Sequence, residues 1–207
     1  MSVTVDHEQL EVEQLGLRTV GQVLTHLQRD NRLVVNLLID GQEPDLDRLC
    51  DVKRVPVGAH TLFIETAEPC DMAMEVLTET ESQLEGADRL KGEAVELLGR
   101  AGQANKAMEK LSGCFRTWHN AHESVVKTAQ LLRIDLEQVR VEDATTLAQF
   151  LAEFTGQLRQ IKLALEARDY VALGDVLAYD MADAGAKWSA ALGAVRDTVC
   201  EVCAKAE

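Results

Sequence analysis

The chain of 207 residues carries a formal charge of −14, is 46% apolar but only 4% aromatic, and holds five cysteines and three prolines. A chain of this length buries roughly 70% of its unfolded surface without a metal or disulfide staple, and with few aromatics its core is expected to be Leu, Val and Ala, which favours helical packing over a β-sandwich. Acidic residues outnumber basic ones 12 to 6 up to position 69 and 23 to 15 beyond it, a surface that repels phosphate and anionic lipid and so argues against nucleic acid and membrane as partners.

No charged-then-apolar leader opens the sequence and no apolar run approaches about 18 residues, so a cytoplasmic protein is expected. Cys50, Cys70, Cys114, Cys200 and Cys203 are odd in number and irregularly spaced, unlike a disulfide framework, and reduced thiols are expected. All three prolines, Pro44, Pro56 and Pro69, precede a proline-free stretch of 138 residues. Proline costs about 3 kcal/mol inside a helix, so the composition predicts a domain boundary near Pro69, with a small α+β domain over 1–69 and a helical bundle over 70–207.

In the first part, Val3 and Val5, then Leu10 and Val12, alternate around "DHEQ" as two short strands joined by a turn. Leu17, Val20, Leu24 and Leu27 fall at helical spacing, with Asn31 placed to close the helix. The run "LVVNLLI" then predicts a strand ending at the turn dipeptide Asp40-Gly41, and "TLFIET" a last strand after Pro56 and Gly58. The order strand, strand, helix, strand, strand resembles the β-grasp folds that ubiquitin typifies, an analogy of element order without a shared motif.

Beyond Pro69 the pattern becomes heptads. A first helix, from about Asp71 to Leu98, has a seam of Leu77, Leu84, Ala94 and Leu98 interrupted by Thr80 and Lys91, and "GRAG" is a turn out of it. The second keeps a 4-3 step through Ala104, Met108, Leu111, Phe115, Trp118, His122, Val125, Ala129 and Leu132; the third does so through Leu147, Leu151, Phe154, Leu158, Ile161 and Leu165. Asp169 is placed to cap a fourth, with Tyr170, Leu177, Met181, Ala184, Trp188, Val195 and Val202 facing inward. Such seams suit an antiparallel four-helix bundle. The fourth helix is also rich in small residues. Gly174, Gly185 and Gly193 each cost about 1 kcal/mol relative to Ala, so close backbone approach to another helix or to a second subunit is expected in return.

The stretch "WHNAHE" sets His119 and His122 three apart on one helix with Glu123 beside them, within reach of one metal. The order H-x-x-H-E is not the H-E-x-x-H of metalloproteases, and the Glu-x-x-His of di-iron bundles occurs nowhere in the chain. The blander reading makes His122 a largely buried seam residue with one ring nitrogen bonded to a neighbouring helix, Asp180 or Asp183 being the nearest candidates. "CEVC", Cys200 to Cys203, lies at the negative end of a helix, where thiolate is disfavoured, and lacks a second close pair of zinc ligands other than the two histidines. Tyr179 falls off the inward stripe among acidic residues, as an interface residue would. No phosphate loop and no nucleophile elbow is present. The expected function is therefore non-enzymatic protein interaction, adaptor or regulatory in type, by a homodimer with no cofactor. The alternative is a metal- or ligand-binding bundle using His119, His122 and Glu123 with aspartates of the fourth helix.

Overall fold

The computed structural model describes residues 2–100, 102–142 and 144–205 as an α+β protein, mainly helical, with a small four-stranded mixed sheet. The chain divides into two compact units, residues 1–72 and 73–207. Among the described residues no helix is long and apolar enough to cross a membrane.

In the first unit, β1 (Val3–Val5) and β2 (Glu8–Gln9) pair antiparallel around Asp6 and His7, both at positive φ. Two central residues in the left-handed region give the turn the twist a two-residue hairpin needs. The second strand is shorter than the alternation predicts: Leu10 still gives its N–H to Val3 O at 2.8 Å, and the chain then turns, with Leu10 and Val12 packed on the core. Helix α1 (Val20–Arg29) starts three residues later than Leu17, where Thr19 and Gln22 form a reciprocal capping box. It ends as expected at Asn31, whose φ of 57° lets Asn31 N and Arg32 N bond back to Gln28 O and Leu27 O, a Schellman closure. Gly21 lies where a Cβ would stand 2.9 Å from Lys53 O, so only glycine allows this close approach.

Strands β3 (Leu33–Ile39) and β4 (Leu62–Ala67) complete the sheet in the order β2-β1-β4-β3, with β1 and β4 parallel and the other pairs antiparallel. Val3, Val20, Val23, Leu27, Leu62 and Ile64 are among its buried core. Between β3 and β4 stands a feature the pattern did not announce, a 3₁₀ turn at Leu46–Arg48 running into the one-turn helix α2 (Leu49–Val52).

The second unit is built on α3 (Pro69–Leu98), α4 (Ala104–Leu132), α5 (Leu147–Glu166), α6 (Tyr170–Asp175) and α7 (Ala184–Ala204), with a small hairpin of β5 (Arg140–Glu142) and β6 (Thr145–Thr146) before α5. Cross-helix contacts run in opposite senses along neighbouring axes. Ala87 with Cys114 and Glu93 with Lys110 set α3 against α4; Glu81 with Arg196 and Lys91 with Met181 set α3 against α7; Phe150 with Trp188 and Gln157 with Asp180 set α5 against the chain entering α7. These pairs are antiparallel. At the centre Phe154 makes edge-to-face contacts with Trp118 at 5.7 Å and Trp188 at 5.2 Å, the arrangement aromatic quadrupoles favour.

Two expectations fail here for physical reasons. On α4 the buried residues are Ala107, Leu111, Cys114, Trp118, Ala121, Val125, Thr128 and Ala129, of which Leu111, Trp118, Val125 and Ala129 belong to the predicted heptads. Small residues at 114 and 121 let the neighbouring helices approach, so the stripe turns toward them and Phe115 and His122 move to its flank. The fourth helix is broken rather than continuous: after α6 the backbone widens into a π-turn at Val176–Asp180 and turns again before α7. Tyr170 is consequently exposed, whereas Leu177, Met181, Ala184, Trp188 and Val195 are buried as expected.

Three consecutive carbonyls released by that break are each taken by a side chain from another helix. Gln157 Nε2 donates to Asp180 O at 2.9 Å, and Lys91 Nζ donates to Met181 O at 2.7 Å and Ala182 O at 3.1 Å. Lys91 and Thr80, the two residues that interrupt the α3 seam, are both buried and both satisfied, Thr80 by bonding Val76 O on its own helix. Of the three glycines, Gly185 alone shows a tight approach, Asp88 of α3 occupying the space of its missing Cβ; nothing stands near Gly174 or Gly193.

Candidate functional site

Helix α4 carries His119, His122 and Glu123 within five residues, and the register of the buried stripe decides where each points. His119 is exposed and stands 3.9 Å from Glu123 across one turn; Lys127 reaches the other oxygen of the same carboxylate at 3.0 Å. The Lys127 hydrogen bond and charge, helped by the nearby histidines, hold the Glu123 carboxyl below its ordinary range. His122 is half-buried, and among the described residues no hydrogen bond or ion pair reaches it. The expected bond to Asp180 or Asp183 is not made: those residues lie at the α7 entry, where Asp180 O accepts from Gln157 Nε2 and Asp183 O from Lys187 N. Among the described residues no group of three His, Cys, Asp or Glu side chains is arranged to hold a metal ion.

The cysteines need a correction. Cys50, Cys114 and Cys200 are free, but Cys70 and Cys203 are disulfide-bonded, against the expectation of five reduced thiols. Irregular spacing along the chain does not by itself keep a cysteine reduced. The bond also withdraws Cys203 from the Cys200 pair, leaving the "CEVC" stretch without a Cys-x-x-Cys dithiol. Cys114 is buried, its thiol hydrogen-bonded to Ala87 O at 3.2 Å, and burial pushes its pKa up to about 11. It is a packing residue rather than a nucleophile.

Two concave surfaces differ in chemistry. One, of 730 Å³ between α3 and α4, is lined by polar and charged side chains including Glu79, Gln83, Asn120, Glu123 and Lys127. The other, of 370 Å³ in the first unit, is lined mainly by aliphatic side chains, Leu24 of α1, Val34, Val35 and Leu37 of β3, and Leu46 and Leu49 of the segment after Pro44, with Asn36 and Glu43 its polar residues. Leu46 is 71% exposed, Val35 49% and Leu49 41%. For a chain of this charge, large aliphatic side chains grouped on the open surface of one cleft are unusual.

The backbone explains how this cleft forms. Asp40 and Gly41 are both at positive φ and turn the chain back so that Ile39 and Gln42 exchange both backbone bonds, at 2.9 and 3.1 Å. A fifth strand, on the free side of β3, is thus begun. Pro44 follows, and the chain swings out into the 3₁₀ turn that carries Leu46 and α2 that carries Leu49. What separates is a wall of leucines on one side and the outer edge of β3 on the other. Sequence reading passes over this region because Leu46 and Leu49 sit in the polar run "EPDLDRLCD". Their i, i+3 spacing just after a proline is the signal that marks a short amphipathic turn.

In comparisons with known proteins, no family model, no curated protein and no solved structure matches this chain.

Proposed function

We propose that the protein is a non-enzymatic interaction protein, adaptor or regulatory in type, whose first unit is of β-grasp type and recognises a protein partner through the apolar cleft beside β3. The single observation that carries this reading is the exposure of Leu46, Leu49 and Val35 around one cleft of an otherwise acidic chain. Exposed clustered aliphatics lose free energy to water that a partner would recover, about 25 cal/mol per Å² buried. Supporting the β-grasp assignment are the sheet order β2-β1-β4-β3, its parallel central pair, and the one long helix between β2 and β3. The second unit is read as an antiparallel four-helix bundle whose last helix is broken, and as the seat of a homodimer. Leu163, Val171 and Tyr179, all exposed, are the side chains it offers.

The test is a Leu46→Glu, Leu49→Glu double variant. A protein that co-purifies with the wild-type chain and is then reconstituted from pure components should bind the variant at least tenfold more weakly, with the circular dichroism of the two chains unchanged. Equal binding to both chains would remove the cleft from the account. Sedimentation at micromolar concentration tests the dimer, which a strictly monomeric chain refutes. A second reading, a metal site at His119, His122 and Glu123, is favoured by the 3.9 Å approach of His119 to Glu123. It predicts metal in the purified protein that a His119→Ala, His122→Ala variant lacks; metal-free protein indifferent to chelator eliminates it.

A further inference from the structure

The geometry points to strand addition: we infer that the cleft receives an extended peptide segment that pairs with the outer edge of β3, carrying apolar residues at alternate positions and basic residues at its flanks. This inference rests on the interaction reading above and adds to it the conformation and chemistry of what is bound.

The edge itself is the first argument. β3 ends the sheet, with β4 on one side only. Ile39 gives both of its outward backbone groups to Gln42. Strand backbones alternate with period two, so Leu37 presents its N–H and C=O to that same side, where no bond to another described residue is made. A shift of register between Val34 and Asn36 leaves Val35 outside the ladder, and its side chain is half exposed. The place opposite Leu37 is the one the chain's own hairpin would have filled had it continued past Gln42. Proline at position 44 lacks the N–H such a strand would donate, and the chain departs. An incoming segment takes up the ladder where Pro44 abandons it.

The second argument is the cleft beside that edge. A segment lying along Val35 and Leu37 has the leucine wall of Leu46 and Leu49 and the α1 residue Leu24 within the same cleft. A strand directs every second side chain to one face, so an alternating apolar sequence would place its apolar residues there and its polar ones outward.

Charge selects the flanks and argues against a second copy of this chain as occupant. The wall from Glu43 to Asp51 holds four acids, Glu43, Asp45, Asp47 and Asp51, against the single base Arg48, which already stands 3.8 Å from Asp45. Pairing two copies edge to edge would bring two such walls together, whereas lysine or arginine at the ends of a peptide would be attracted to one.

The experiment uses the full chain and a random dodecapeptide display library, followed by synthesis of the selected peptide. The expected selection is an alternating apolar pattern with Lys or Arg at its ends. N-methylation of the synthetic peptide at successive positions should weaken binding at least tenfold at every second residue and leave the residues between nearly unaffected, because a strand bonds its neighbour with alternate amides. Replacing the basic ends with Glu should weaken it by a similar factor at low salt. In amide and methyl NMR spectra of the chain, the peptide should protect the Leu37 amide from exchange and shift the Leu46 and Leu49 methyls. Methyl shifts without amide protection, or N-methyl effects without period two, overturn strand addition while leaving the cleft reading intact. Selected peptides that move neither set of signals overturn both. A chain that is dimeric and becomes monomeric with Val35→Lys shows the edge already covered by a second copy, which also overturns the proposal.

Discussion

Among the described residues three helices end on a residue in the left-handed region that is not glycine: Asn31, Arg133 and Arg168, with φ of 57°, 55° and 54°. Each is followed by an amide that reaches back to close the helix, Ile134 N to Ala129 O at 2.8 Å and Asp169 N to Ala164 O at 2.9 Å for the two arginines. Asn tolerates this conformation and arginine does not gain from it. Arg133→Gly and Arg168→Gly should therefore each stabilise the second unit by about 0.5–1 kcal/mol, read as a higher urea midpoint at unchanged slope. A lower midpoint would mean that the side chains contribute more than their backbone costs. In the first unit Asp6 holds the first hairpin to β4 through Thr66 N and Thr66 Oγ1, both at 2.7 Å, and Arg32 at 2.8 Å. Burial works against its ionisation, but the Thr66 bonds and the Arg32 charge outweigh it and hold the carboxyl below its ordinary range. A depressed carboxyl adds stability above its unfolded value, near pH 4, and that contribution is lost as pH falls through the folded value. Asp6→Asn should lower the stability of the first unit at pH 7 and converge on wild type in acid, by denaturation at a series of pH values; a constant difference would show that ionisation is not what matters.

At the scale of elements the instructive case is the broken fourth helix. Its residues have the pattern of one continuous helix capped by Asp169, and the cap is made, the Asp169 carboxylate accepting from Ala172 N at 2.9 Å. Continuity fails because Lys91 and Gln157, on two other helices, offer donors to the carbonyls of residues 180–182, and a backbone acceptor met by a side chain no longer needs its helical partner. Lys91 was legible only as a fault in the α3 seam; what it repairs was not, since it lies 90 positions further on. Lys91→Met keeps the length of the stem but removes the donor from two carbonyls, leaving Met181 O only its bond from Ala184 N, and should cost the second unit about 1–3 kcal/mol and raise amide exchange first around residues 176–184. A variant as stable as wild type would assign those carbonyls to water. The shift of the α4 stripe belongs here too. Heptad spacing alone admits two neighbouring stripes through Leu111, Trp118 and Val125, and only the partners across the unit choose Cys114 and Ala121 over Phe115 and His122.

For the whole molecule, two cores of different make share one chain. The first is aliphatic, with Leu62 and Ile64 of β4 fully buried against α1; the second gathers Trp118, Phe150, Phe154 and Trp188 from three helices. Ile64→Ala should cost about 2–5 kcal/mol and open amides of β1, β3 and β4, whereas Phe154→Ala, at about 3–5 kcal/mol, should open those of α4, α5 and α7. Hydrogen exchange read by mass spectrometry distinguishes the two; exchange spreading equally through both units from either variant would contradict separate cores. The surface is legible to different degrees. Tyr179 was marked as off the inward stripe and is indeed 76% exposed, because a helical period suffices to place it. The Leu46 and Leu49 wall is harder to read, since a single i, i+3 pair inside a polar run is a far weaker signal than a repeated period.

By itself the sequence determined the mixed α+β character, the helices of the proline-free stretch, the strand after α1 with its Asp40-Gly41 turn, and the caps at Asn31 and Asp169, where a local residue type had one low-energy conformation. Such features need only neighbours a few positions away. Tertiary structure alone decided the face that α4 buries, the break before α7, the isolation of His122 from Asp180 and Asp183, and the open edge of β3. Each of these depends on a group distant in sequence arriving, or failing to arrive, within hydrogen-bonding or packing distance, and periodicity along one chain does not encode that meeting.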